Sequence, residues 1–190
     1  MPDLIFNTPA GQTVQRELLL LCLNTADASA SAPVWSPVGS RVTDSSEEID
    51  WSAGTSTDIT GKTRTDLKKP SLSQTFDPLP LDAGDPAVVK LWNLAVKEQN
   101  YPALANMDVL IVHRYAGTAG SAMFAERYDG SAVQVTGLGG EGGGTISMPI
   151  TVTPGGTRTT GTAAIDDTTG AITFTADGAT APSAAKAVSK

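Results

Sequence analysis

Hydrophobic and polar side chains alternate along most of the chain, which is the pattern of strands with one buried face. Within 70–79, for example, Leu72, Gln74 and Phe76 alternate with serine and threonine. The stretch 145–153 shows the same alternation, whereas 108–115 is apolar on both faces. The pattern predicts strands over 16–24, 34–38, 70–79, 108–115, 122–128, 132–138, 145–153, 157–165 and 171–176.

Turn residues separate these segments at hairpin spacing. Asp129-Gly130 is a strong signal for a two-residue hairpin turn, because that turn needs positive φ at both central positions. Gly117–Gly120 and Pro154-Gly155-Gly156 are typical turn sequences as well. Consecutive strands are therefore expected to pair antiparallel.

One segment has the spacing of a helix instead. Asp85 is a good N-cap, and Pro86 suits the first helical position, where a missing N–H costs nothing. Tyr101-Pro102 is expected to end the helix, because the residue before proline avoids the helical region. The pattern predicts a helix over about 85–100 that packs on the sheet through an apolar face of Val88, Leu91, Trp92 and Ala95.

Together these elements predict a mainly β protein. The predicted fold is an antiparallel β-sandwich or curved sheet with one flanking α-helix. Residues 1–15 are interpreted as an N-terminal arm, 16–176 as the folded domain and 177–190 as a flexible C-terminal tail.

The segment 39–69 departs from the pattern because it is long and polar. Its large apolar side chains are few, and a structureless loop of this length is uncommon in a compact domain. We expect a long exposed hairpin with a mobile tip that becomes ordered against a partner. The candidate inter-subunit residues are Asp44, Glu47, Glu48, Ile49, Asp50 and Trp51.

Composition and charge narrow the classes of partner. The chain has 190 residues and a formal net charge of −7, and 17% of its residues are charged. A soluble domain usually has about 25% charged residues. An acidic chain is a poor candidate for gripping DNA or an anionic membrane. The longest apolar run, Leu18–Leu23, is far shorter than the roughly 20 residues that span a bilayer.

The sequence offers no convincing catalytic, cofactor or metal site. The glycine-rich stretch 137–144 precedes a strand rather than a helix, so it lacks the helix N-terminus that a phosphate loop needs. The single cysteine, Cys22, is expected to be buried and inert, and the single histidine, His113, to be satisfied locally. Adjacent acids such as Asp166-Asp167 are more often solvated surface than a glycosidase pair.

The order and spacing of the elements resemble the major tail tube proteins of long, flexible-tailed, siphovirus-type bacteriophages. The resemblance covers roughly 16–176 and contains no short diagnostic motif. The segments that carry it are Glu17–Leu21, Trp35–Gly39 before the long loop, Leu72–Phe76, the helix 85–100, Val109–Val112, Gly144–Val152, Gly155-Gly156 and Gly170–Phe174.

The resemblance implies a structural virion protein, not an enzyme, with itself as main partner. Members of that family form hexameric rings that stack into a hollow tube for the tape-measure protein and the genome. The long loop is implied to reach a neighbouring subunit or ring. Tail terminator and distal tail proteins are implied partners, DNA is expected to pass without specific binding, and no membrane is involved. The protein is expected in the virion tail after synthesis in the bacterial host cytoplasm.

Two strand residues, Asp108 and Glu126, are candidates for the lumen of such a tube. They lie on neighbouring predicted strands where a charge breaks an apolar pattern. The alternative is that they lie on ordinary solvated faces or pair with Arg114 or Arg127.

Two other functions stay open from the sequence. One is a phage surface decoration or adhesin-type module, which would also be rich in threonine and glycine. The other is a carbohydrate-active β-sandwich enzyme, which would need facing carboxylates and aromatic platforms. The chain has only three Trp, three Tyr and four Phe for such platforms.

Overall fold

Strands dominate the structure, as the alternating pattern predicts. The computed structural model describes residues 5–27 and 29–178. Within these residues the strands are β1 (Leu19–Asn24), β2 (Trp35–Pro37), β3 (Glu47–Asp50), β4 (Gly54–Thr57), β5 (Thr63–Asp66), β6 (Ser71–Phe76), β7 (Met107–Thr118), β8 (Ala122–Val135), β9 (Ile150–Thr153), β10 (Arg158–Ile165) and β11 (Ile172–Ala176). The helices are α1 (Pro86–Trp92) and α2 (Tyr101–Leu104).

Six strands close into a barrel rather than forming two separate sheets. The order around it is β10, β11, β2, β1, β7 and β8, and β8 pairs again with β10. Closure leaves no free edge around this ring of strands. The prediction of a mainly β fold with antiparallel pairing and a flanking helical region is confirmed, but the sandwich is not. The barrel interior is filled by Cys22, Trp35, Leu110, Val112, Met123, Ala125, Ala163 and Ile172.

A second layer covers part of the barrel's outer face. The C-terminal part of β8 leaves the barrel and pairs with β9, which is followed in the sheet by β6 and β3. The larger hydrophobic core lies between this layer, the helices and the outer face of the barrel. Its fully buried members include Leu23, Val109, Leu79, Leu91 and Ile150.

The hairpin turn predicted at Asp129-Gly130 is wrong, because β8 runs through both residues without a break. The Oδ1 atom of Asp129 instead accepts a hydrogen bond of 2.7 Å from the backbone N–H of Thr157. Gly130 leaves room for the backbone of Gly156, which an added Cβ would meet at 3.2 Å. The two residues therefore mark the point where β8 changes partner from β10 to β9.

The connection between β7 and β8 lies at 119–121, close to the predicted turn at 117–120.

The strand predicted over 145–153 is shorter than expected and spans only Ile150–Thr153. Pro149 lies directly before it and cannot donate a ladder hydrogen bond. Ser147, in the part that is not strand, pairs with Gly139 across the glycine-rich loop.

The helix begins where the sequence predicts. The Oδ1 atom of Asp85 accepts hydrogen bonds from the backbone N–H groups of Ala87 and Val88 at 3.0 and 3.2 Å. The helix continues as a wider turn over Asn93–Lys97. Pro102 does not end it, however, but lies at the start of α2, which is capped by the side chain of Asn100. Proline is accepted there because the first turn of a helix leaves N–H groups unpaired in any case.

Three of the four residues predicted for the docked face of the helix pack against the core, and in the wider turn Leu94 packs there in place of Ala95. Val88 and Leu91 are buried, and the half-buried Trp92 packs against the same core. None of the helices in the described part of the chain is long and apolar enough to span a bilayer. Of the predicted tail, only Asp177 and Gly178 lie within the described residues.

Candidate functional site

The 39–69 segment forms an edge strand followed by a projecting hairpin. β3 pairs antiparallel with β6, with Glu47 opposite Gln74 and Asp50 opposite Ser71. β4 and β5 pair only with each other and form a separate two-stranded sheet. The long exposed hairpin that the sequence predicts is thus present, and β3 connects its base to the body of the protein.

All four residues of β4 and all four of β5 are exposed. Asp58 closes the tip, since its Oδ1 accepts hydrogen bonds from the backbone N–H groups of Thr60 and Lys62 at 2.8 and 3.0 Å. The hydrogen bond from the Thr60 hydroxyl and the one from the Lys62 backbone lower the pKa of Asp58. An isolated two-stranded hairpin is only marginally stable in water. The tip geometry is therefore well defined, but the strands lack a covering layer.

Four large apolar side chains of this segment face solvent. Ile49 and Trp51 are about half exposed, at 54% and 50%, while Leu67 is 66% exposed and Ile59 fully so. They lie at the end of β3, at the hairpin tip and beyond β5. Scattered exposed apolar residues are normal, but a concentration of them in one projecting segment is typical of an interaction surface.

The two faces of the hairpin differ in chemistry. Cross-strand pairing puts Thr55 opposite Thr65 and Thr57 opposite Thr63, so one face carries only threonine. The other face carries charged side chains such as Arg64, which lies opposite Ser56. The threonine face is flat, uncharged and β-branched, which suits packing against another β surface.

Charge is also divided along the segment. Residues 42–53 contain Asp44, Glu47, Glu48 and Asp50 and no basic residue. The hairpin and its exit contain two acids and four cations, which are Lys62, Arg64, Lys68 and Lys69. The segment therefore presents an acidic strand, a hairpin in which two acids balance two cations, and a basic stretch after the hairpin at Lys68 and Lys69.

The predicted inter-subunit residues take different positions. Asp44, Glu48 and Asp50 are exposed, whereas Glu47 is half-buried and faces the barrel. Burial raises the pKa of Glu47, and the nearby carboxylate of Glu126 raises it further while His113 lowers it. Glu47 thus belongs to the interior side of β3, and its role between subunits stays a prediction.

Asp108 forms an ion pair with Arg127 of β8. Its two carboxylate oxygens accept hydrogen bonds from Nε and Nη2 of Arg127 at 2.9 and 2.8 Å. The same guanidinium lies over the ring of Trp35, at 5.9 Å from its centroid. This pairing is the alternative that the sequence left open for Asp108.

Glu126 lies in a polar cluster on the outer face of the barrel. It accepts hydrogen bonds from Arg158 Nε at 2.5 Å and Tyr128 Oη at 2.8 Å, and it lies 3.0 Å from His113 Nε2. Burial would raise the pKa of Glu126, but the hydrogen bonds from His113, Arg158 and Tyr128 outweigh it and lower the pKa to about 2. Burial and the Glu126 carboxylate raise the pKa of Tyr128.

The two lumen candidates do not share a surface. Glu126 lies opposite Ile111, whose face packs in the larger core outside the barrel. Arg127 lies opposite Leu110, whose face packs inside the barrel, and Asp108 binds Arg127 on that side. A lumen position for either residue stays a prediction.

The cluster around His113 was not among the sites predicted from the sequence. His113 Nδ1 lies 2.8 Å from Tyr115 Oη, and the imidazole stacks on Phe124 with ring centroids 5.2 Å apart. The sequence did contain a signal for this cluster. Side chains two residues apart in a strand lie on the same face, which places His113 with Tyr115 and Glu126 with Tyr128. Recognising it required the β7–β8 register, which shifts between His113 and Gly117 in a way that the alternation does not show.

A polar groove of about 970 Å³ runs between the helices and the connection from β1 to β2. Lys90 Nζ donates to the backbone oxygens of Asn24 and Ala26 there, at 2.9 Å each.

Cys22 is fully buried, and burial raises the pKa of its thiol to about 12. Among residues 5–27 and 29–178, no three His, Cys, Asp or Glu residues come together as metal ligands.

No family model and no curated protein sequence matches the chain. Its structure is similar to a chain of the sheath–tube complex of the extracellular contractile injection system PVC, with a TM-score of 0.48 and 9% identity over 80% of this chain and 93% of that chain. It is also similar to the tube-terminating cap of the anti-feeding prophage, with a TM-score of 0.47 and 13% identity over 83% of this chain and 96% of that chain. A chain of the PVC sheath/tube terminator gives a TM-score of 0.49 and 9% identity over 80% and 99% of the two chains.

Proposed function

We propose that the protein is a structural subunit of a phage tail or a tail-like particle and that it assembles into the tail tube. In this assembly the subunits form hexameric rings, and the rings stack around a channel for the genome and the tape-measure protein. Terminator and distal tail proteins bind the two ends. The protein is made in the bacterial cytoplasm and resides in the particle.

One observation carries the proposal: the 39–69 segment projects a hairpin and exposes its large apolar side chains to solvent. Its hairpin has all eight strand residues exposed, and Ile49, Trp51, Ile59 and Leu67 are exposed around it. Fixing one residue costs about 1–2 kcal/mol in backbone entropy, which this hairpin cannot regain within its own chain. Contacts with another subunit would supply the missing burial.

The body of the protein suits the wall of a tube. The closed six-stranded barrel has no free edges around its ring, so it does not offer strands for uncontrolled pairing. The free edge lies in the second layer, next to the hairpin, where a neighbour can bind. A net charge of −7 per subunit makes the assembly acidic, and an acidic channel repels phosphate and favours transit over binding.

The proposal includes no catalytic role. The candidate acids Asp108 and Glu126 lie on opposite faces of the β7–β8 pair, and each binds an arginine. A glycosidase would need its two carboxylates to face each other across a cleft.

Assembly is tested directly with the purified protein. Sedimentation velocity over a concentration series and negative-stain electron microscopy should show rings, or tubes of constant width. Trp51→Ser combined with Ile59→Ser should abolish assembly and leave the circular dichroism spectrum and the melting temperature unchanged. Tyr101→Ser is the matched control, since Tyr101 is 79% exposed but lies outside the segment.

The proposal is wrong if the native protein stays monomeric at high concentration, both alone and when co-expressed with tail initiator proteins. It is also wrong if the Trp51 and Ile59 substitutions leave the particles intact.

A further inference from the structure

The strand β3 has one edge that no other strand covers in the described part of the chain. It is the last strand of its sheet, and its single partner is β6. Native proteins usually protect an edge of this kind, because its free N–H and C=O groups bind any extended strand. β3 is only four residues long and carries three acids, so its edge resists indiscriminate pairing and favours a strand with basic side chains.

The hairpin provides a strand that fits this edge. β5 pairs with β4 on one side only, so its other edge is also free among the described residues. The side chains of Glu48 and Asp50 share one face of β3, and those of Lys62 and Arg64 share one face of the hairpin. β5 itself also carries Asp66 at its end, and Lys62 lies directly before the strand. The two exposed cations are therefore opposite in charge to the two exposed acids of β3.

We infer that β5 of one subunit adds to the free edge of β3 of a second copy of this chain. The inference rests on the proposed function and names the surface through which the copies bind. With the strands antiparallel and Arg64 opposite Glu48, Lys62 lies opposite Asp50, and both cross-strand pairs join opposite charges. In the same register Thr63 lies opposite Ile49 on the other face, where a β-branched side chain covers the exposed isoleucine.

The contact is heterologous, because each subunit uses its hairpin for one neighbour and its edge strand for the other. A heterologous contact repeated with a constant rotation produces a ring or an open filament. The charge pattern also disfavours a wrong contact between two edge strands, since two acidic β3 edges repel each other.

Two single charge reversals test the contact. Glu48→Lys places a cation opposite Arg64, and Arg64→Glu places an acid opposite Glu48. Each variant alone should raise the concentration needed for assembly about fivefold or more, and sedimentation velocity measures this. Glu98→Lys and Lys97→Glu are the matched controls, since both residues are exposed on the helical region. The controls should assemble like the native protein, and circular dichroism should show that every variant is folded.

The decisive measurement mixes the two variants in equal amounts. The edge strand that carries Glu48→Lys then meets the hairpin that carries Arg64→Glu, and the unchanged edge strand meets the unchanged hairpin. Both contacts join opposite charges, so the mixture should assemble at a concentration where neither variant does so alone. The double variant Glu48→Lys/Arg64→Glu should also assemble. Introduced cysteines at the same two positions, Glu48→Cys and Arg64→Cys, should form intermolecular disulfides that link the chains into ladders on a non-reducing gel.

The inference is overturned if the single variants assemble like the controls, or if the mixture stays dissociated. These results leave the proposed function standing when the native protein still forms tubes. Association of the mixture only into short open chains would support the strand contact and contradict the tube. If no sample associates at all, both proposals are wrong.

Discussion

Glu126 on β8 lies 3.0 Å from Nε2 of His113 on β7 and joins three strands at the seam of the barrel. Its other oxygen accepts hydrogen bonds from Tyr128 on the same strand and from Arg158 on β10. The β8–β10 pairing is the one that closes the barrel. A single half-buried carboxylate is therefore placed where closure of the barrel depends on side chains as well as on backbone hydrogen bonds.

We expect stability to fall in acid because Glu126 becomes protonated. Its pKa is lowered from 4.5 to about 2 in the folded state, so its contribution is complete above the unfolded value and is lost as the pH falls towards 2. Because solvent screens this partly exposed group, the shift corresponds to about 1–2 kcal/mol of stability at neutral pH. Glu126→Gln should therefore lower the free energy of unfolding at neutral pH and flatten its decline in acid. Urea unfolding over a pH series measures both effects.

The matched control for this experiment is Glu98→Gln, which neutralises an exposed acid on the helical region. It should reproduce the native pH dependence. If Glu126→Gln also showed the native pH dependence, the ionised carboxylate of Glu126 would not be what stabilises the β8–β10 seam.

Glu47 should change the pH dependence of stability in the opposite direction to Glu126. Burial raises its pKa in the folded state, so its contribution is most favourable at low pH and is lost as the pH rises through the folded value. Glu47→Gln should raise the urea midpoint at neutral pH, and the gain should disappear below about pH 3.5, where the carboxyl is protonated in both states. Glu48→Gln, one residue along but exposed, is the control and should change the midpoint little. A gain that persists in acid would show a packing effect instead of a charge effect.

Trp92 tests the docking of the helix. It is half-buried against the larger core next to the buried Val88 and Leu91. Full burial would make truncation cost about 3–5 kcal/mol, and half-burial reduces the expected cost of Trp92→Ala to about 2–3 kcal/mol. Tyr101→Ala removes a largely exposed aromatic from α2 and should cost less than about 0.5 kcal/mol. Equal melting temperatures for both variants would contradict the docking.

The sequence predicted the individual strands and the helix better than it predicted the closing of the strands into a barrel. Alternation identified the strands and Asp85 identified the helix start, because both signals are local. The barrel depends on pairing between β8 and β10, which are far apart in sequence, and the order of hydrophobic positions does not specify such partners. Asp129-Gly130 shows the same limit, since its local turn preference is overridden by the packing of Gly156 against β8.

The candidate surface was predicted only in outline. The composition of 39–69 indicated an exposed hairpin, and the hairpin is present. Alternation alone could not show that Glu47 points inward while Glu48 points outward, because that depends on which edge of β3 pairs with β6. Asp108 and Glu126 are equivalent in the sequence as acids in apolar strands, yet the β7–β8 register puts them on opposite faces.

Gly161 tests the packing of the barrel wall. It lies on β10 opposite Ala176 of β11, and an added Cβ would clash with the backbone oxygen of Thr175 and lie 2.8 Å from Cε2 of Phe174. Gly161→Ala should destabilise the protein by about 1–3 kcal/mol, the usual cost of overpacking. Gly54→Ala is the control, because nothing lies within 4 Å of its added Cβ. A neutral Gly161→Ala would mean that β10 and β11 separate more easily than their register suggests.

Hydrogen exchange tests whether the hairpin needs a neighbour. In the monomer the amides of β4 and β5 should exchange almost as fast as in an unfolded peptide, because all their side chains are exposed and no second layer covers them. Assembly should slow their exchange strongly, while the amides of β1 and β7 in the barrel should be protected in both states. Mass spectrometry of peptides from 54–66 and from 107–118, before and after assembly, measures this difference. Equal protection of the hairpin in both states would show that it is stable by itself, and the exposed face would then not need a partner subunit.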